Sequence, residues 1–198
     1  MNTRNERRLN KYGNAFWKAY WDSTAGRKGD IAVKDVDPAN IFPDPSALEL
    51  SDCEYLDYVY MIHRNKAARL FKKELRESGL CVHELCGGSF LDTKIYQSDL
   101  HAPGDDCIQV IEHWFRQPCE GKERINYEYG GKSLSQWVEF EAGDIACSII
   151  AGGKEIKYIP KYWIKTGADN KRYPFVHYFK TCRENCFWGF SEMEVMIP

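Results

Sequence analysis

The sequence predicts an α+β chain: antiparallel and β-rich, a meander of short strands with one amphipathic helix. Three observations carry that expectation. Short aromatic and β-branched runs recur at strand length, each closed by turn residues. One segment, residues 65–79, repeats its apolar residues at helical spacing. Glycine pairs stand between several of the runs, where hairpins need positive φ.

In chain order, residues 4–12 read as a short polar helix. NAFWKAYWD (14–22) and DIAVKDV (30–36) read as the two strands of a hairpin joined by the loop STAGRKG. The hairpin leads into NIFPDPSA (40–47). Pro43 and Pro45 flank Asp44, so the backbone from Phe42 to Asp44 has little freedom. The block reads as a rigid elbow with Ile41 and Phe42 buried. Asp44 accepts hydrogen bonds from turn backbone rather than catalysing.

CEYLDYVYMI (53–62) continues as a strand. In the helix, Ala67, Leu70, Phe71 and Leu75 form the apolar stripe, Asn65 the N-cap and Gly79 the C-cap. Residues 86–106 are rich in Gly, Ser and Asp and read as a loop. Strands are then expected over 108–115, 123–129, 136–140, 144–150 and 154–163, with Gly130-Gly131 and Gly152-Gly153 as hairpin turns. YPFVHYFK (173–180) is a further extended segment behind Pro174. FWGFSEMEVMIP (187–198) reads as a turn at Gly189, an N-cap at Ser191 and the start of a helix that is cut short.

The 198 residues carry a formal charge of −2, which does not announce a nucleic-acid binder. No stretch is long and apolar enough for a membrane span, and the basic N-terminus lacks the apolar core of a secretory signal. The expectation is a reducing compartment and eight thiols rather than disulfides. Charge is segregated. Residues 35–60 hold seven acids and no Lys or Arg, and residues 154–183 carry a net +6. Two solvated faces, or an acidic edge meeting a basic one within the chain or between copies, both fit.

Chemistry is sparse. Cys81, His83 and Cys86, and the pair Cys182 and Cys186, lack the spacing of structural zinc sites. His63, His101, His113 and His177 stand singly, and Asp105-Asp106 is a weak cation signal. RRLNK (7–11) and the 154–183 run could touch phosphates, and the second, with its interleaved aromatics, also fits an amphipathic strand pair with a solvated Lys face. P-loop, H-E-x-x-H and nucleophile-elbow motifs are absent. The expectation is no catalytic, cofactor or metal residues and no enzyme.

With the segments in order, the chain resembles the portal proteins of tailed bacteriophages and prophages. The resemblance rests on Tyr12-Gly13 opening the hairpin and on Asp37-Pro38-Ala39-Asn40-Ile41-Phe42-Pro43-Asp44-Pro45-Ser46-Ala47. It continues through Val110-Ile111-Glu112-His113-Trp114, Tyr173-Pro174-Phe175-Val176 and Trp188-Gly189-Phe190-Ser191-Glu192-Met193. The motif residues it singles out are Asn40, Phe42, Asp44, Pro45, Pro174, Trp188, Gly189 and Ser191.

Portal proteins run to several hundred residues, so the chain resembles their wing region. That implies one wing-like domain over 1–198: hairpin and strand (1–62), helix (63–80), loop (86–106), β meander (107–180) and a helix start (187–198). It also implies a structural role in a ring, usually of twelve subunits, at the capsid vertex of a virion or in the bacterial cytoplasm. Double-stranded DNA passes through such a ring during packaging and ejection. Its partners are other copies, terminase, capsid and tail-connector proteins, with no membrane. The alternatives are a zinc-binding or hydrolytic domain of unusual spacing and another β-rich phage adaptor module.

Overall fold

The computed structural model describes residues 3–22, 25–26, 29–85, 106–129, 132–162 and 171–196. Its helices are α1 (Thr3–Tyr12), α2 (Arg64–Leu70), α3 (Lys72–Ser78) and α4 (Glu192–Val195). Its strands are β1 (Asn14–Asp22), β2 (Asp30–Val36), β3 (Ile41–Pro43), β4 (Tyr55–His63) and β5 (Cys107–Arg116). They continue as β6 (Gly121–Tyr129), β7 (Lys132–Phe140), β8 (Ile145–Ala151), β9 (Lys154–Ile159) and β10 (Phe175–Phe179). The chain is α+β with antiparallel sheets, as expected. Where the sequence suggests one domain, it divides into two compact units, one of residues 1–54 with 172–198 and one of residues 55–171.

In the first unit, β1 is the middle strand of a sheet ordered β10-β1-β2. Phe16 stands opposite Val36 on one side and His177 on the other. Period-2 alternation puts Phe16, Lys18, Phe175 and His177 on one face. Phe16, Lys18 and Phe175 are buried there, and the Lys18 Nζ stands 5.6 Å from the centre of the Phe175 ring. Trp17, Trp21, Ile31, Val33, Val176 and Tyr178 take the other face. The helix α1 is tied to the sheet by Asn5, whose Nδ2 donates to the Phe16 carbonyl at 3.0 Å.

β10 was expected to extend the strand run of 107–180. Instead it pairs with β1, a partner some 160 residues away in sequence, in a register from Asn14–Phe179 to Lys18–Phe175. Propensity makes the segment extended. Only burial of its Phe175 and His177 face chooses the partner.

In the second unit the strand order runs β4-β5-β8-β9, every pair antiparallel. The meander is interrupted, because β6 and β7 form a separate two-stranded ribbon and β5 pairs onward with β8. Gly152 and Gly153 turn β8 into β9 with φ of 57° and 78°. A Cβ on Gly152 would lie 2.4 Å from the Leu85 carbonyl oxygen. The Gly130-Gly131 turn and the loop at 86–105 lie outside the described residues.

The predicted helix is two. The break falls at Phe71, whose φ of −105° and ψ of 21° leave the helical region. The 13-atom bonds persist on both sides, from Phe71 N–H to Ala67 and from Leu75 N–H to Phe71, each 2.9 Å. Ala67, Phe71 and Leu75 are buried against Ile62, Ile108 and Val110, whereas Leu70 is 56% exposed and leaves the predicted stripe. The N-cap is His63, not Asn65: its Nδ1 accepts from the Asn65 N–H at 3.2 Å. Gly79 closes α3 at φ 67°, as expected.

Candidate functional site: an apolar groove between two sequence blocks

The NIFPDPSA block is built by local hydrogen bonding. Asp37 caps a 3-10 turn over Pro38–Asn40, accepting from the Ala39 N–H at 3.1 Å, and its carbonyl accepts from the Asn40 N–H at 3.0 Å. Arg8 holds this entry from α1, 2.6 Å from Asp35 and 3.4 Å from Asp37. Ile41 is buried and Phe42 half-buried.

Asp44 is buried beneath its own turn. Its Oδ1 accepts from the Ser46 hydroxyl at 2.7 Å and the Ser46 N–H at 2.9 Å, and its Oδ2 from the Glu54 N–H at 3.3 Å. These donors, the Ser46 hydroxyl foremost, hold its carboxyl below the ordinary carboxylate range. That is the Asx-type role expected of it.

The facing wall is Asn185 to Trp188. Asn185 turns the chain at φ 54°, the left-handed region that Asn tolerates better than most residues. Phe187 stacks on His177 with centroids 4.7 Å apart and planes 12° apart. His177 stacks on Phe16 at 4.3 Å and 1°. Trp188 meets Phe187 edge-on at 5.2 Å. Burial in this aromatic stack pushes the His177 imidazole down to about 4, so it is neutral. Its Nε2–H donates to the Asn14 Oδ1 at 3.0 Å.

Two glycines and a serine fix the wall. Asn14 donates from Nδ2 to the Gly189 carbonyl at 2.8 Å and accepts at Oδ1 from the Gly189 N–H at 2.9 Å. Gly13, at φ 72°, passes so close that a Cβ would lie 2.3 Å from the Phe190 carbonyl carbon. A Cβ on Gly189 would lie 2.6 Å from the Phe179 Cβ. Ser191 forms the predicted cap as a full capping box. Its Oγ accepts from the Glu194 N–H at 3.1 Å, and its own N–H donates to the Glu194 carboxylate at 3.3 Å. Pro174 is buried, and its carbonyl accepts from the Ala19 N–H at 2.9 Å. Beside it the Tyr173 hydroxyl donates to the Cys53 carbonyl at 3.0 Å.

Between the walls lies a groove of about 560 Å³, lined by Pro38, Ile41, Phe42, Pro45, Leu48 and Trp188 among others. The structure thus brings Phe42, Asp44, Pro45 and Trp188 to one concavity. Asn40, Pro174, Gly189 and Ser191 act behind or beside it, on the backbone. The carboxylate that lines the groove, Asp44, has both oxygens engaged by the turn. Such a surface can hold an apolar or extended segment.

Other polar clusters lie in the second unit. In the second unit Asp57, His113 and Ser148 stand directly opposite one another on β4, β5 and β8. The Asp57 carboxylate lies 2.6 Å from the His113 Nδ1. A nucleophilic triad further needs the serine hydroxyl on the imidazole. Ser148 Oγ makes no hydrogen bond, and Ser148 is 6% exposed. The alignment was missed in the sequence because register, not spacing, creates it. Glu112 is buried and accepts from the Tyr60 hydroxyl and the Trp114 indole, both at 3.1 Å. Burial, with Glu112 beside it, pushes the Tyr60 hydroxyl well above its ordinary value.

Several of the segregated charges pair locally. Of the basic segment, Lys154, Lys157, Lys161 and Lys171 pair with Glu84, Glu74, Asp144 and Glu141. Lys180 and Arg183 pair with Glu192 and Glu194. None of these acids belongs to 35–60, so these pairs do not join the two runs within the chain. Arg8, counted with the N-terminal basic cluster, is engaged by Asp35 and Asp37.

The seven described cysteines form no disulfide, and no cluster of three metal-ligating side chains occurs among the described residues. Cys182 and Cys186 line a smaller cleft of about 290 Å³ with Glu49, Asp52 and Arg183. Cys86, His101 and Asp105 lie outside the described residues, while Asp106 pairs with Arg64 at 3.0 Å. Among the described residues no helix is long and apolar enough to cross a membrane. No protein-family model matches the sequence, and no curated protein matches it.

Proposed function

We propose that the chain is a structural, non-catalytic component of a tailed-phage or prophage portal, corresponding to the wing region of the ring. One observation carries the reading. NIFPDPSA, the most specific block of the resemblance, and Trp188, which opens the WGFS block, lie about 140 residues apart in sequence, yet they line one groove. Residues that looked like separate motifs serve one architectural purpose. Gly13, from the Tyr-Gly step, packs against the second of these blocks through its close approach to Phe190.

In this role the unit works by shape. The elbow sets the angle at which the chain leaves the hairpin, and the Trp188 wall sets the angle at which α4 begins. A ring of such subunits, usually twelve, surrounds double-stranded DNA at the capsid vertex. It meets terminase during packaging and tail-connector proteins afterwards. Aromatic surface suits repeated subunit contacts.

Gene order around the coding sequence tests the proposal. A terminase large-subunit gene immediately upstream and a head-maturation or capsid gene downstream are expected. A neighbourhood without packaging or capsid genes overturns it.

A further inference from the structure

We propose that β2 is a self-recognition edge, through which two copies of this chain pair antiparallel about a two-fold axis at Ala32. Among the described residues β2 is the outer strand of the sheet β10-β1-β2. An edge strand offers a row of backbone donors and acceptors to a further strand. Nothing in DIAVKDV blocks such pairing with a proline. One face of the strand is also apolar and open. Ile31 is 70% exposed and Val33 59%, beside Trp21, Val176 and Tyr178 on the same face. An apolar patch of this kind marks an interaction surface.

Charge chooses the occupant and the register. A two-fold antiparallel pair sets one residue opposite its own copy. Centring on Asp30 or on Lys34 puts like charges face to face, which is repulsive. Centring on Ile31 sets Asp30 against alanine. Centring on Val33 sets Ile31 against Asp35 and Asp30 against Val36. Centring on Ala32 sets Asp30 opposite Lys34 of the second copy, twice by symmetry. The same register sets Ile31 opposite Val33 of the second copy, also twice. Over residues 30–34 each charged residue then meets its complement and each apolar residue an apolar one, while Asp35 falls opposite Gly29. A lysine on an edge strand ordinarily discourages association; here it selects one register and penalises the rest.

The product is a six-stranded sheet, β10-β1-β2 joined to its copy, with Ile31 and Val33 of both copies side by side on one face. The contact is small, so the pair is weak and salt-sensitive. It is separate from the ring reading, because a two-fold contact closes on itself whereas a ring needs a head-to-tail one.

Sedimentation equilibrium on the full chain, at concentrations on the order of 100 µM, is the test. The wild type is expected to show a monomer–dimer equilibrium. Asp30→Lys and Lys34→Asp should each weaken it by about tenfold or more, through two like-charge contacts per dimer. The double variant D30K/K34D should restore it, and an equimolar mixture of the two single variants should associate. Circular dichroism checks that each variant is folded. A monomeric wild type, single variants that associate as the wild type does, or a double variant that stays monomeric overturns the inference. Each of those outcomes leaves the gene-order test of the portal reading untouched.

Discussion

Asn14 and Gly189 exchange two hydrogen bonds across 175 residues of sequence. The Asn14 side-chain amide does what a strand backbone would do. It donates to the Gly189 carbonyl and accepts from the Gly189 N–H. The same Oδ1 takes the His177 Nε2–H. One buried side chain therefore ties the first strand, the tenth strand and the wall of the groove together.

Asn14→Ala should destabilise the protein by about 2–4 kcal/mol, because it strands buried donors on Gly189 and His177 and an acceptor on Gly189. Urea unfolding followed by tryptophan fluorescence measures it. A loss below about 0.5 kcal/mol, the range of ordinary surface substitutions, would mean that water replaces the amide.

The glycines should separate by what surrounds them. Gly13→Ala meets the Phe190 backbone at 2.3 Å, so it needs backbone movement as well as a left-handed φ. A cost of about 3 kcal/mol or more is expected. Gly79→Ala has open space around the new methyl at φ 67°. It should cost about 1 kcal/mol, the conformational penalty alone. Thermal unfolding of the two variants side by side gives the comparison.

His177 predicts an acid-sensitive fold. Its folded pKa is about 4, below the ordinary 6.5, so the folded state favours the neutral imidazole. Above pH 6.5 it is neutral folded or unfolded and contributes no pH dependence. As pH falls from 6.5 towards 4, the unfolded chain takes up a proton that the folded chain refuses, and stability drops. The loss approaches about 3 kcal/mol below pH 4. His177→Phe keeps a stacked ring and removes the titration. The difference in unfolding free energy between pH 7 and pH 4.5 should therefore be smaller in the variant than in the wild type.

Two ion pairs of similar length should differ in worth. Lys161 and Asp144 lie 2.8 Å apart with side chains only 12% and 5% exposed. Burial pushes the Asp144 carboxyl up, but the Glu141 N–H and Lys161 outweigh it and hold the group below its ordinary value. Lys161→Met leaves that carboxylate buried without its cation, at a cost of about 3 kcal/mol. Lys122 and Glu139, 2.7 Å apart, are 52% and 75% exposed, and Lys122→Met should change stability little. Chemical denaturation of both variants at pH 7 is the check. Equal losses would contradict the role assigned to burial.

Local chemistry was readable at residue resolution. Asp44 bonds the backbone two residues on, Ser191 caps α4 and Gly79 ends α3, as their types and neighbours implied. These contacts reach four residues or fewer along the chain. The helix break was hidden, because Phe71 and its neighbours keep helical spacing while the core draws Phe71 inward and leaves Leu70 outside. The groove was hidden as well. Its two walls lie about 140 residues apart in sequence, and no local pattern joins them.

What the sequence determined by itself is the set of local shapes: extended aromatic runs, a rigid Pro-Asp-Pro elbow, helix caps and glycine turns. Steric limits on φ and ψ and short-range hydrogen bonds act within a few residues, so the residue types suffice. The tertiary structure alone decided the partners. β10 joins β1, β5 joins β8, and Asn14 finds Gly189. Each choice buries an apolar face or a polar group against something far along the chain, and several extended segments compete for each edge on local grounds. Only the packed unit, in which Phe16, His177 and Phe187 stack, removes the competition.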